Sequence, residues 1–422
     1  MNTIKSVCSK IKISEFYYIL VVLGYTATLV SLSVRPGVIA TVLMLLVGLQ
    51  LLAGKCIVIR SLSDLMAVCF FAWQVLSVIW LLQGPCPLSV YFPEFTASVL
   101  PMIFYFAGKS AGKRAGNWYR GYLIAMLILG ILGVIFYVFA PQFYNDWSVA
   151  LSHTSKADAA TTRVRMNSVV GSTCLSFTMV AGMLAAAFFL GEENTGEDSS
   201  VKIKQQRFFG AICLALCLLF AILANQRSGL VVAGLVVVYI NILIFFKLNL
   251  LPKKYFFIEL GVLAAVFVLI GILRFDFLLK YWYRLASLPT AVSERSEQWV
   301  AAVNNMYSTW LGNGLGANGH HAIGVEDAFV IADGGLIKLY CENGVVGFSM
   351  WLFLLILSCK KGLSNLSSRY AELGIVFAML LQSIGSNMIA FQLCAPIFWF
   401  AIGRLNDESL TSPDPYLSSS HV

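Results

Sequence analysis

An all-α, polytopic membrane fold of about twelve transmembrane helices is what this chain predicts, on three observations. Of its 422 residues 59% are hydrophobic and 12% are charged, about half the charged share of an ordinary soluble domain. Apolar runs of roughly 18 to 22 residues, each near the length a helix needs to cross the hydrocarbon core, recur along the sequence. None alternates with the period of two that a membrane β-barrel needs. The excess of 29 basic over 21 acidic residues therefore reads as an orienting device, and a nucleic-acid surface is not expected.

Lys5, Lys10 and Lys12 precede the first run, 16–34, which is too long for a cleaved signal peptide and reads as a retained span. Further spans are expected near 38–54, 65–82, 90–108, 119–140, 169–190, 208–224, 229–246, 255–273, 335–357, 371–388 and 389–403, the last pair sharing one nearly unbroken run. Alternating these spans across a bilayer puts 19 of the 29 basic residues on one side, in clusters such as Lys109, Lys113 and Arg114. That side is predicted to be cytoplasmic, and both termini with it. The reading is of one domain, 1–422, with outward loops at 141–168 and 275–334 and a polar tail over 405–422. Glu192 to Asp198 reads as a solvated loop. Cys213 and Cys217, one helical turn apart with no histidine or acid nearby, are expected to share packing and not a metal.

The outward loops hold the residues that can carry chemistry. Arg295, Trp299, Val303, Met306 and Trp310 recur at three- and four-residue spacing, which predicts an amphipathic helix along the membrane surface. Arg295 would then reach lipid headgroup phosphates, or the helix would be a plain surface anchor. Gly312 to Gly316 lacks the Gly-Lys-Ser/Thr of a phosphate loop and reads as a flexible turn. His320 and His321 offer imidazoles, with only Glu326 and Asp327 close by as further metal-type ligands.

Arg227, in Asn225-Gln226-Arg227-Ser228 between two apolar runs, has too little loop around it to escape the membrane boundary. A guanidinium there matches phosphate oxygens bidentately, or else snorkels to water. Arg163 and Arg165 are spaced to point to one side of an extended chain, toward the same anion or toward Asp146 and Asp158. Asp333 at the start of a span is both an N-cap candidate and a carboxylate able to take a proton from a hydroxyl. Lys338 and Glu342, one turn apart inside that span, are expected to neutralise each other, with Gly344 and Gly347 as close-packing positions.

Taken together, Arg163-x-Arg165-x-x-Ser168, the Asn225-Gln226-Arg227-Ser228-Gly229 turn, Gly312-x-Gly314-Leu315-Gly316, Asp333-Gly334-Gly335-Leu336 and Glu342-Asn343-Gly344-Val345-Val346-Gly347 make a chain that resembles the O-antigen polymerase and O-antigen ligase superfamily. The likeness runs from Arg163 to Gly347. Where the ligase branch has a histidine eleven residues before the last Gly-x-x-Gly, this chain has Asp333, which is similar to the polymerase (Wzy) branch. A weaker similarity is to the SEDS-type peptidoglycan polymerases, whose Ser-Glu-Asp-Ser signature is missing.

The resemblance implies a GT-C-like glycosyltransferase of the bacterial inner membrane, working on its periplasmic face. It would join oligosaccharide repeats carried on undecaprenyl pyrophosphate without metal or cofactor, with a chain-length regulator as a candidate partner and no nucleic acid. Arg163, Arg165, Arg227 and Arg295 would hold pyrophosphate, and Asp333 would act on the acceptor hydroxyl. An O-antigen ligase acting on lipid A core is the alternative of the same class, and a multi-span transporter or flippase that of another.

Overall fold

The computed structural model describes residues 13–150, 165–191, 200–247, 249, 252–273, 288–331 and 333–407, with scattered positions between 274 and 287, and the regular structure among them is helical. Arg163, Asp158, the tract 192–198 and the tail past Asp407 lie outside the described residues. A helix stands at each expected span. In chain order the helices are α1 (Ile13–Ala27), α2 (Pro36–Ala53), α3 (Leu62–Leu81), α4 (Leu88–Lys109), α5 (Gly112–Phe139), α6 (Pro141–Ala150) in the loop 141–168, α7 (Ser172–Leu190), α8 (Ser200–Ala224), α9 (Arg227–Lys247), α10 (Lys253–Leu273), α11 (Leu288–Asn304) in the loop 275–334, α12 (Gly335–Ser364), α13 (Leu366–Ser383) and α14 (Ala395–Leu405). Among the described residues eight of these, α2 to α5, α7 to α9 and α12, are long and apolar enough to cross a membrane. This is the architecture of a multi-pass helical membrane protein.

The final apolar run is divided differently from the expectation. Residues 384–394 leave the helix altogether, apart from one 3-10 turn at Met388–Ala390. The sequence Ser383-Ile384-Gly385-Ser386-Asn387 explains it, because serine and asparagine side chains compete for backbone groups and glycine favours no helix. Helix resumes at α14, with Pro396 in its first turn.

α7 is the most enclosed of the eight long apolar helices, packed by α5, α8, α9 and α13. Its small side chains, Ala181, Gly182, Ala185, Ala186 and Ala187, allow that approach. Cys213 and Cys217 are fully buried, and Cys217 Sγ lies over Gly182, so the expected shared packing is observed.

Polar contacts define the two ends of the bundle. At one end Asp64, opening α3, accepts the Arg60 and Ser61 amides at 2.8 Å each and meets Lys109 at the close of α4. Arg404, closing α14, holds Glu372 early in α13 at 3.3 Å and Asp407 at 2.6 Å. Leu405, Asn406 and Asp407 are buried, so the polar tail starts later than the sequence implied. Lys109 and Arg404 at this end are thus matched by carboxylates; at the opposite end α9 and α12 begin and α13 finishes.

Candidate functional site

At that opposite end a cavity of about 490 Å³ is lined by Arg165, Arg227, Arg295 and Asp333, with Val231, Val232, Leu235, Leu381 and Ile384 as its apolar wall. Four of the five residues singled out from the sequence thus meet around one space. The fifth, Arg163, falls outside the described residues. Each arrives by its own local rule. Asn225, at a φ of 47°, closes α8, and the Gln226 side chain caps α9 by accepting the Ser228 amide at 3.1 Å. That makes Arg227 the first residue of a helix, where the dipole already disfavours a cation. Among the described residues Arg227 forms no ion pair, and its Nε is buried without a hydrogen-bond partner. Three guanidiniums and one carboxylate beside aliphatic walls make an arrangement chemically able to take an anion attached to an apolar body.

Asp333 differs from the N-cap expectation. The residue capping α12 is Gly334, at φ 131°, without a side-chain cap bond. The Asp333 carboxylate instead meets Arg295 at 2.7 Å, half-exposed in the cavity. Its carbonyl accepts the Trp299 indole N–H at 2.7 Å. The amphipathic helix is present as α11, but its packed stripe is Arg295, Trp299, Ala302 and, just past its end, Met306, set against Ile331, Ile337 and Cys341. Val303 and Trp310 face away, exposed at 37% and 66%. The true stripe takes Ala302 in place of Val303 because the partner is the tight start of α12. Trp299→Phe removes one such bond and is expected to lower stability by about 1 kcal/mol in a thermal melt.

The Gly312 to Gly316 segment is not a flexible turn. α12 is broken at Gly344, where φ is 60° and ψ −172°, a backbone region open to glycine almost alone. The segment docks into that break. Asn313 N donates to Cys341 O at 2.8 Å and Gly314 N to Glu342 O at 3.0 Å, while the Val345 and Val346 amides donate to Thr309 O and Trp310 O. The Trp73 indole takes Asn343 O at 3.2 Å. Gly312, Gly314 and Gly316 have φ of 82°, 87° and 88°, and a Cβ on any of them would strike backbone or Leu81 within 2.7 Å. Gly344 is therefore a point of loop insertion and not only of helix packing; Gly347 gives room to Trp73.

Lys338 does pair with Glu342, at 3.6 Å, but its closer partner is Glu94 on α4. All three are at least 95% buried. Sequence reasoning missed Glu94, although a lone carboxylate inside the run 90–108 was a usable signal. Beyond it opens a second cavity of about 660 Å³, with Glu94, Gln392, Thr41 and Thr96 in its wall and His320 and His321, both exposed, on its rim. Partial desolvation, followed by the Lys338 ammonium, lowers the His320 pKa from the usual imidazole value. Among the described residues no group of three or more His, Cys, Asp or Glu forms a metal site.

A scan against protein-family models gives no match for this chain, and a search of curated proteins gives none either.

Proposed function

We propose that this protein is an O-antigen polymerase, a glycosyltransferase that joins oligosaccharide repeats carried on undecaprenyl pyrophosphate. Its active face is periplasmic and its termini are cytoplasmic in this reading, which the basic-residue count of the sequence supports. The observation that carries the reading is Arg227: a guanidinium at a helix start, without an ion-pair partner among the described residues, in a cavity shared with Arg165 and Arg295. Desolvating such a group is expensive unless an anion joins it. A diphosphate supplies the oxygens for forked contacts, and the wall of Val231, Val232, Leu235 and Leu381 suits the prenyl chain that follows it.

In the proposed step the acceptor hydroxyl oxygen bonds to the anomeric carbon of the donor sugar while the bond from that carbon to the phosphate oxygen breaks. The bonding pair leaves on the diphosphate, where the guanidiniums offset the growing charge. The hydroxyl proton passes to the Asp333 carboxylate, which Arg295 orients. Holding both reactants beside these groups contributes the remaining advantage.

Two other readings compete. An O-antigen ligase would run the same bond exchange onto lipid A core. In a ligase-deficient strain a polymerase still builds polymer on the lipid carrier, and a ligase does not. A transporter would use the break in α12 as its binding site, yet the Cys341, Glu342 and Asn343 carbonyls there are already taken. Asp333→Ala is expected to leave the protein in the membrane and give lipopolysaccharide capped with a single repeat unit. Long banding ladders from both this variant and Arg227→Ala would remove the site assignment, and unchanged banding in a deletion strain would remove the function.

A further inference from the structure

The second cavity has a chemistry unlike the first. Its wall is mainly apolar, and set in it are a carboxylate, an amide and two hydroxyls, Glu94, Gln392, Thr41 and Thr96, with Arg35 also in the lining. Glu94 is 3% exposed. Lys338 occupies its Oε1, while no hydrogen bond among the described residues reaches Oε2. Gly319 keeps that oxygen clear, since a Cβ there would stand 2.9 Å from it. The Gln392 amide spans from α2 to α4, donating to Gly37 O and Thr41 Oγ1 at 3.3 Å each and lying 3.5 Å from Thr96 Oγ1. α4 itself widens to π geometry over Phe95–Val99, just past the carboxylate, a distortion common at functional sites. Phe92 and Val38 flank the opening, and both are exposed.

A carboxylate acceptor beside amides and hydroxyls, with aromatic faces, suits neutral sugar hydroxyls. The arginine cavity, with three guanidiniums in its wall, suits a phosphate instead. The two spaces adjoin: Gly385 lines the first and Asn387 the second, so Ser386 alone separates them along the link between α13 and α14, a span of at most about 7 Å.

We infer that this second cavity binds the hydroxyl-bearing saccharide of the acceptor, with Glu94 Oε2 accepting a hydrogen bond from a sugar hydroxyl and Gln392 beside it. The inference rests on the polymerase reading, and it adds a division of labour in which one cavity holds diphosphate and the other holds sugar.

The test uses the full chain in lipid nanodiscs and two probes, polyprenyl diphosphate without sugar and the host's repeat-unit oligosaccharide freed from its carrier by mild acid. Glu94→Gln and Gln392→Ala are each expected to weaken oligosaccharide binding about tenfold or more and to leave polyprenyl diphosphate binding within about twofold of wild type. Gln392→Ala spares the buried Lys338 cluster, so a folding defect in Glu94→Gln does not end the test. Wild type that binds the diphosphate but not the oligosaccharide overturns this inference and leaves the diphosphate reading standing. The reverse pattern supports the sugar cavity and removes the diphosphate reading. Unchanged oligosaccharide binding in both variants also overturns the inference.

Discussion

Arg227→Ala is expected to lower polymer synthesis by about 100-fold or more, with the protein still present in the membrane at its usual level. The size follows from removing a preorganised charge at the place where the leaving diphosphate gains its own. The fold should tolerate the change, because among the described residues the side chain makes no ion pair and the α9 cap belongs to Gln226. Arg227→Lys should restore only a minor part, roughly a tenth, since an ammonium is a point charge and cannot make the forked contact. The measurement is the lipopolysaccharide ladder of cells expressing each variant, paired with an immunoblot of membranes. Full activity in Arg227→Lys would mean that charge alone matters and that the forked geometry does not.

The second large effect concerns stability. Gly344→Ala is expected to destabilise the folded protein by about 3 kcal/mol, from the backbone region it must occupy. There is no room to relax, because the added Cβ would meet Trp310 O at 2.3 Å. The consequence is predicted to spread. Expelling the glycine loop from the α12 break frees Cys341 O and Glu342 O from Asn313 and Gly314, and buried carbonyls without partners are costly. Thermal unfolding in detergent, followed by size-exclusion chromatography, reads this directly, and a melting temperature equal to wild type would show that the break is not held by the loop. Gly234→Ala on α9, where nothing lies within 4 Å of the added atom, is the matched control and should not destabilise, since alanine favours helix over glycine.

The positions of the spans were legible because apolar length is a local property. So were Arg165, Arg227, Arg295 and Asp333, since a charge next to a membrane segment draws attention wherever it stands. The partners of those residues were not legible. Nothing in the spacing of Arg295 and Asp333 says that they meet, and the N-cap alternative for Asp333 used the same local pattern. Glu94 was passed over because its meaning depends on Lys338, 244 positions away. The Gly312 to Gly316 run looked like a loose turn because flexible and tightly fitted glycines read alike in sequence.

By itself, then, the amino-acid order determined that this is a multi-pass helical chain, roughly where its apolar helices lie, and which cations stand beside them, all of which depend on residues within a turn or two of each other. Tertiary structure alone decided that α12 breaks to receive a glycine loop, that three guanidiniums share a cavity with one carboxylate, and that a second cavity has Glu94 in its wall. Those are contacts between segments distant in sequence, and their free energy comes from burial and from hydrogen bonds that exist only once the helices have packed.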